Sequence, residues 1–328
     1  MKRRQKGVAL LVVLLILALM VIIATTIAER NGRTYLRTVS QLDRQQAKWY
    51  GRSAEVLAVK ILQRDTLDSP GKTHLAQNWA QETRRFPVEG GEVFGQISDG
   101  QACFNLNAIN QGATDEGAQL KDPYPAQVFR QLLINLGEDS LHATQITGAL
   151  RDWIDSDSEP GPQGAEDEVY MALESPYLPA NQPMQDISEL RTVSGVDTRL
   201  YQRLLPYVCV LPTKTLLVNV NTLSESQGPL LAALFLKELD PTMATQLLQQ
   251  RPREGWNSTK EFLAQDAFKS IDTSAVSPVL AVRSDFFVAS FDVLMGDSHY
   301  SQRSLLHKTS NSFQVVRRQY GLSMVVEP

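Results

Sequence analysis

Val8 to Ala28 contains no charged side chain, and the pattern changes abruptly at Glu29. As a helix rising ~1.5 Å per residue, this run of about 21 residues covers about 31 Å, close to the hydrocarbon thickness of a bilayer. From Glu29 to about Gln63 there is no proline. Apolar positions Tyr35, Leu42, Ala47, Trp49/Tyr50, Ala54, Leu57, Ala58, Ile61 and Leu62 recur there at roughly helical intervals. The pattern predicts one continuous helix of about 50 residues, wholly apolar in its first part and amphipathic in its second.

Beyond the helix, Pro70-Gly71 and Phe86-Pro87 punctuate a transition. Gly91 to Leu106 reads as two short strands around Asp99-Gly100, a favoured tight-turn pair. Alternation returns in Asp285 to Met295 and in Phe313 to Val326, and Gly296-Asp297 separates two candidate strands. Strands at about 90–106 and 284–326 would form one small antiparallel sheet on the long helix, an α+β fold. The material between them must then be an insertion, and it reads as helical.

The insertion divides in two. Its first part has helices around 125–136, 140–154, 166–173, 185–193 and 197–205. Its second part, Thr213 to about Ala281, has a strand-like entry, VNVNT, and a helix pair. Asn221-Thr222 can cap the first helix of that pair, and Asp240-Pro241 starts the second. The unit resembles a helix-hairpin-helix or SAM-like module. Its turn, Lys237 to Asp240, holds two acids and no glycine, so it lacks the amide-lined turn that would bind a nucleic-acid phosphate.

Charge and composition narrow the function. The 328 residues carry a formal charge of −4, and the basic cluster Lys2, Arg3, Arg4 and Lys6 offsets part of the acidity elsewhere. That is no nucleic-acid footprint. The cluster places the N-terminus in the cytoplasm. The apolar run exceeds the ~7–15 residues of a cleaved signal and offers a poor small-residue site at Ala24–Ala28. Four scattered histidines, with no G-x-S-x-G, phosphate loop or H-E-x-x-H, predict no enzyme. The two cysteines, Cys103 and Cys209, cannot make a zinc cage and leave two thiols or one disulfide.

The densest polar stretch, Asp152 to Glu168, holds seven carboxylates and no Lys or Arg. Asp155, Asp157 and Glu159 alternate, and Glu166 stands twelfth counting from Asp155, the carboxylate spacing of an EF-hand loop. Pro160 replaces the glycine required at the sixth position, so an irregular loop is expected. Oxygen donors alone favour calcium over transition metals. Asp155, Asp157, Glu166 and Asp167 are the candidate ligands, with Glu159 a weaker one. On spacing alone, a fully solvated acidic loop remains open.

A short basic leader, Gly7 directly before an apolar run, and a helix half in lipid and half out resemble a type IV pilin or pseudopilin precursor. In that superfamily a prepilin peptidase cuts after the glycine, here between Gly7 and Val8, and the apolar stretch is retained as signal, anchor and assembly surface. A glutamate is usual at the fifth mature position; here that position is Val12. The K-type minor pseudopilins of the type II secretion system lack it and carry a helical domain inside the pilin fold. Further stretches match their pattern: ACFNLNA at 102–108, WIDSDSEP at 153–160, GAEDEVY at 164–170, YLPANQP at 177–183, DISELR at 186–191 and LYQRLLPYVCVLP at 200–212.

The resemblance implies a leader (1–7), a transmembrane half-helix (8–28), a pseudopilin domain (29–106 and 282–328), an inserted domain with a calcium loop (107–212) and a second helical unit (213–281). It implies a single-pass inner-membrane protein with its bulk in the periplasm, capping a pseudopilus tip and initiating assembly. The implied partners are minor pseudopilins I and J, minor pseudopilin H, the major pseudopilin, the prepilin peptidase and exported proteins. It also implies structural calcium in the insertion. Cys103 and Cys209 flank the first part of that insertion, whose ends should lie close together. In an oxidising periplasm a disulfide is then expected, with two buried thiols as the alternative. A membrane-anchored sensor or adhesin is the competing function.

Overall fold

The computed structural model describes residues 6–81, 83–113, 122–310 and 312–321. Residues 1–5 of the expected leader and 322–326 of the expected last strand lie outside them. Helix α1 runs from Lys6–Asp68, 63 residues, longer than the pattern predicts. It is the one described helix long and apolar enough to cross a membrane. Val8 to Ile27 are exposed along their whole length, whereas Ala47, Ala58 and Leu62 are buried. Ala47, Gly51, Ala54, Ala58 and Leu62 recur at three- and four-residue intervals, so one face of small residues meets the sheet closely. On that face Glu55, 6% exposed, takes a bidentate ion pair from Arg318 at 2.8 Å and hydrogen bonds from Gln302 and Ser304.

Five antiparallel strands form the sheet: β1 (Arg84–Val88), β2 (Gly91–Asp99), β7 (Phe286–Met295), β8 (Ser298–Lys308) and β9 (Phe313–Tyr320), in the order β1-β2-β7-β8-β9. Gly296-Asp297 joins β7 and β8, with Gly296 at φ +51, the positive value that the first position of such a two-residue turn requires. Two expectations are corrected. Asp99-Gly100 is no hairpin turn: β1 and β2 turn at Glu89-Gly90, and Asp99 ends the sheet where the chain departs into the insertion. Phe86-Pro87 is strand rather than punctuation. Pro87 is tolerated because β1 is an edge, where a missing N–H leaves no ladder bond unmade.

The insertion occupies the gap between β2 and β7, which pair directly from Gly91↔Met295 to Asp99↔Phe287. Near the apolar half of α1, Val93 and Val293 pack with Ala47. Near the other end, Ile97 and Phe287 pack with Leu62. The chain therefore leaves the sheet at the end remote from the apolar half of α1. The insertion contains α2 (Tyr124–Asn135), α3 (Ser140–Ile154), α4 (Asp167–Met171), a 3-10 turn at Ile187–Thr192, α5 (Thr198–Leu204), α6 (Gly228–Leu234), α7 (Pro241–Gln249) and α8 (Thr259–Leu263). Two short parallel ties, β3 (Phe104–Asn105) with β4 (Val208–Cys209) and β5 (Val218–Asn219) with β6 (Leu280–Ala281), bring its distant segments together.

Both helical parts share one hydrophobic core, with α2 packed on α3 and on α6. Buried asparagines hold its loops. Asn107 donates to the Met184 and Leu211 carbonyls and accepts from the Met184 amide. Asn221 does the same for the Trp256 backbone, which corrects its expected role as a helix cap. Ser224 instead forms a capping box with Gln227 on the 3-10 turn Glu225–Gln227 that leads into α6, whose own N-cap, Gln227, makes no side-chain cap bond; Asp240 caps α7 as expected. Cys103 and Cys209 form a disulfide, their Cα atoms 5.8 Å apart across the β3–β4 tie.

Candidate metal centre

Helix α3 ends where the acidic stretch begins. Asp152 lies in its last turn and Asp155 is its C-cap. Carboxylates are unfavourable at this end, where the helix dipole is negative. Arg151, the one base nearby in sequence, is diverted to Asp122 at 2.9 Å and to Asn110. The chain then loops back, and Glu166 becomes the N-cap of α4, but its carboxylate makes no capping bond.

Folding brings one carboxylate oxygen each from Asp155, Asp157 and Glu166 within 4.8 Å of one another. Oxygens that share a calcium ion at 2.3–2.6 Å lie within about that separation. Glu166 is 3% exposed. Both of its carboxylate oxygens, Asp155 Oδ1 and Asn181 Oδ1 are buried without a hydrogen-bond partner. Burial pushes the Asp155 carboxyl up to about 7, and the charges of Asp157, Asp152 and Glu166 push the same way. Burial, followed by Asp152, Asp167 and Asp157, likewise raises Glu166 to about 7. Four buried oxygens with no donor, in a cluster that resists its own ionisation, fit a hard cation held by oxygen ligands.

Of the five predicted ligands the structure brings together three. Glu159 and Asp167 are exposed and stand outside the cluster. The Glu159 amide donates to Asp157 Oδ1 at 3.0 Å, so this residue shapes the loop through its backbone. Asp167 begins α4, where its charge favours the helix N-terminus.

Two residues were missing from the sequence-based ligand set. Asn181, at φ +45, donates to the Asp157 carbonyl at 2.6 Å and leaves its own Oδ1 unpaired. It lies in an uncharged stretch whose only signal is asparagine's tolerance of the left-handed region. Asp152 accepts from the Gly161 amide at 3.3 Å, and burial raises its carboxyl to about 6. A Cβ on Gly164 would sit 1.8 Å from Asp152 Oδ2, so the loop can close on this carboxylate only with glycine there.

Comparison with known proteins places this architecture. Two family models described as type II secretion system protein K match residues 102–213 and 218–283. The type II secretion system protein K of Klebsiella pneumoniae is 56% identical over 327 residues, with both chains covered in full. That of Pectobacterium carotovorum is 54% identical over 328 residues, again over both whole chains. The Pseudomonas aeruginosa protein is 34% identical over 98% of this chain and 94% of its own. The crystal structure of the GspK-GspI-GspJ complex from enterotoxigenic Escherichia coli contains a chain 37% identical to this one. It superposes with a TM-score of 0.79 over 88% of this chain and all of its own. These similarities span the anchor helix, the sheet and the insertion, and they leave an anchored sensor or adhesin without support. With its pilin-like α+β fold and inserted helical domain, the chain belongs to the type II secretion system protein K family.

Proposed function

We propose that this minor pseudopilin caps the tip of the periplasmic pseudopilus and initiates its assembly, in complex with the I and J minor pseudopilins. The observation that carries this reading is the position of the insertion. It leaves the sheet at the end opposite the membrane span, where a bulky body blocks the stacking of a further subunit. Val12 adds to it, since no carboxylate in the apolar run needs a partner from a subunit above. The basic leader keeps the N-terminus cytoplasmic and the bulk periplasmic, and a prepilin peptidase cleaves between Gly7 and Val8. Minor pseudopilin H and the major pseudopilin follow below the tip. The role is structural rather than enzymatic.

Calcium is the proposed cofactor of the insertion. Asp155, Asp157 and Glu166 would hold it, with Asn181 Oδ1 as a further oxygen donor; the ion supplies the positive charge that the loop lacks. The site ties the end of α3 to the start of α4 and to the Asn181 loop, and so fixes the shape of the membrane-distal body.

N-terminal sequencing of the membrane-extracted protein tests the processing: a start at Val8 with the peptidase and at Met1 without it is expected. A Met1 start in both overturns the pseudopilin processing. Co-purification with the I and J proteins tests the tip complex. Calorimetry on the metal-stripped protein should show calcium binding, and no heat at millimolar calcium would remove the cofactor.

A further inference from the structure

Gly148 and Asp152 stand four residues apart on α3 and so share one face of the helix. The acidic loop is seated on both as it returns. A Cβ on Gly148 would lie 2.6 Å from the Gln163 carbonyl oxygen, and one on Gly164 would lie 1.8 Å from Asp152 Oδ2. Loop backbone therefore rests directly on the helix at both points. The loop is bent to fit this seat. The Gly164 amide donates to the Gly161 carbonyl at 2.9 Å, closing a tight turn, and Gln163 inside the turn has φ +59.

The two halves of the carboxylate cluster depend on this seat unequally. Asp155 is the C-cap of α3 and Asp157 follows two residues later, so both are placed by the helix end. Glu166 lies across the loop. It follows Ala165 directly, and the Ala165 amide bonds to Asp152, as does the Gly161 amide at 3.3 Å. Asp152 is 3% exposed, and it is not one of the three converging residues. Its oxygens hold the turn, and the turn delivers Glu166.

We propose that Asp152 is a positioning residue of the calcium site, holding the 161–165 turn on α3 so that Glu166 meets Asp155 and Asp157. This assignment rests on the calcium reading above and extends it to a carboxylate that acts without being one of the ligands. Gly148 is the complementary half of the seat, a helix position kept free of a side chain where the loop lies against it. Partners that orient metal ligands from outside the coordination sphere typically govern affinity by about 10- to 100-fold.

The test is calorimetric titration of calcium chloride into the full-length, detergent-solubilised protein after chelator treatment. Asp152→Ala should weaken binding about 10- to 100-fold. Asp152→Asn keeps the shape and an acceptor oxygen and should recover most of that loss. Gly148→Ala changes no charge and favours the helix, yet its methyl group meets the loop, so affinity should fall here too. Urea midpoints supply a second readout. A purely structural Asp152 would lower them equally with calcium and with chelator, whereas a positioning residue lowers them more with calcium.

Parental affinity in Asp152→Ala or in Gly148→Ala overturns the proposal. So does an asparagine variant no better than alanine, because charge alone would then be the cause. If Asp152→Ala fails to fold, Gly148→Ala and Asp152→Asn decide. A parent protein that binds no calcium removes the calcium reading and the positioning role together; a parent that binds, with variants that bind equally, removes only the positioning role.

Discussion

The insertion has acidic groups at its root and at its far loop, and the fold treats them in opposite ways. At the root, Asp99 accepts from the Gln101 amide at 2.7 Å, Asn219 Nδ2 at 3.0 Å, Thr222 Oγ1 at 2.6 Å and Ser284 Oγ at 2.5 Å. Burial still raises its carboxyl, but donors from three segments, the strand end, the second helical unit and the return to the sheet, satisfy its oxygens and offset part of that cost. At the loop, Asp155 Oδ1 and both Glu166 oxygens are buried without a well-formed hydrogen bond, and the Asn181 side chain only partly offsets the burial of Glu166. Buried or enclosed carboxylates persist only when something positive or hydrogen-bonding faces them. The protein supplies that partner at the root, so Asp99 is a finished latch. At the loop the protein supplies no such partner, which is the observation behind the proposed calcium site.

The largest expected effect separates the two directly. Asp99→Ala strands the buried Asn219, Thr222 and Ser284 donors and should cost about 3–4 kcal/mol, read as a lower midpoint in urea unfolding. That loss should be the same with calcium or with a chelator. At the loop the dependence is the reverse: chelation alone should destabilise the parent protein, by about 2.7 kcal/mol relative to calcium at a hundredfold excess over its Kd. Glu166→Gln should abolish that response while costing little in the chelated state, since it removes a charge the apo loop cannot pair. A parent protein indifferent to chelator would show that the loop is solvated rather than metal-bound.

The smallest effect is in pH. With folded carboxyls near 7 at Asp155 and Glu166, against ordinary values near 4, the metal-free fold binds more protons than the unfolded chain between those values. The stability these groups contribute is therefore full below about pH 4 and lost as pH rises through about 7. Solvent screening at the half-exposed Asp155 limits the change to about 1 kcal/mol. Calcium should remove the decline, because bound carboxylates stay ionised. Thermal melts from pH 4 to 8 with and without calcium read both curves, and coincident curves would contradict the loop assignment.

Much of the fold is legible in local pattern. Helices α3, α5 and α7 fall close to where the sequence puts them, because Asp139, Asp197 and Asp240 cap them; the helix expected at 185–193 is a 3-10 turn, and α8 is not among the expected helices. The β1–β2 hairpin is not legible, because Asp99-Gly100 carries the stronger turn signature while the actual turn is Glu89-Gly90. Asp99 is committed to its four donors, a contact between segments some 120 and 185 residues apart. Asn221 misleads for the same reason: the chemistry suited to a cap is spent instead on the backbone of Trp256.

By itself the sequence determined the anchor, the amphipathic continuation, the acidic loop and the pair of cysteines, since each rests on residue type and on spacings within a few turns of chain. Only the tertiary structure decided which carboxylates converge, that Asn181 joins Asp155, Asp157 and Glu166, and that Glu159 and Asp167 do not. Alternation along the loop cannot encode this choice. A cluster forms where α3 ends, α4 begins and the Asn181 loop crosses between them, and that meeting is fixed by the packing of Trp153, Tyr170 and Tyr177 beneath it.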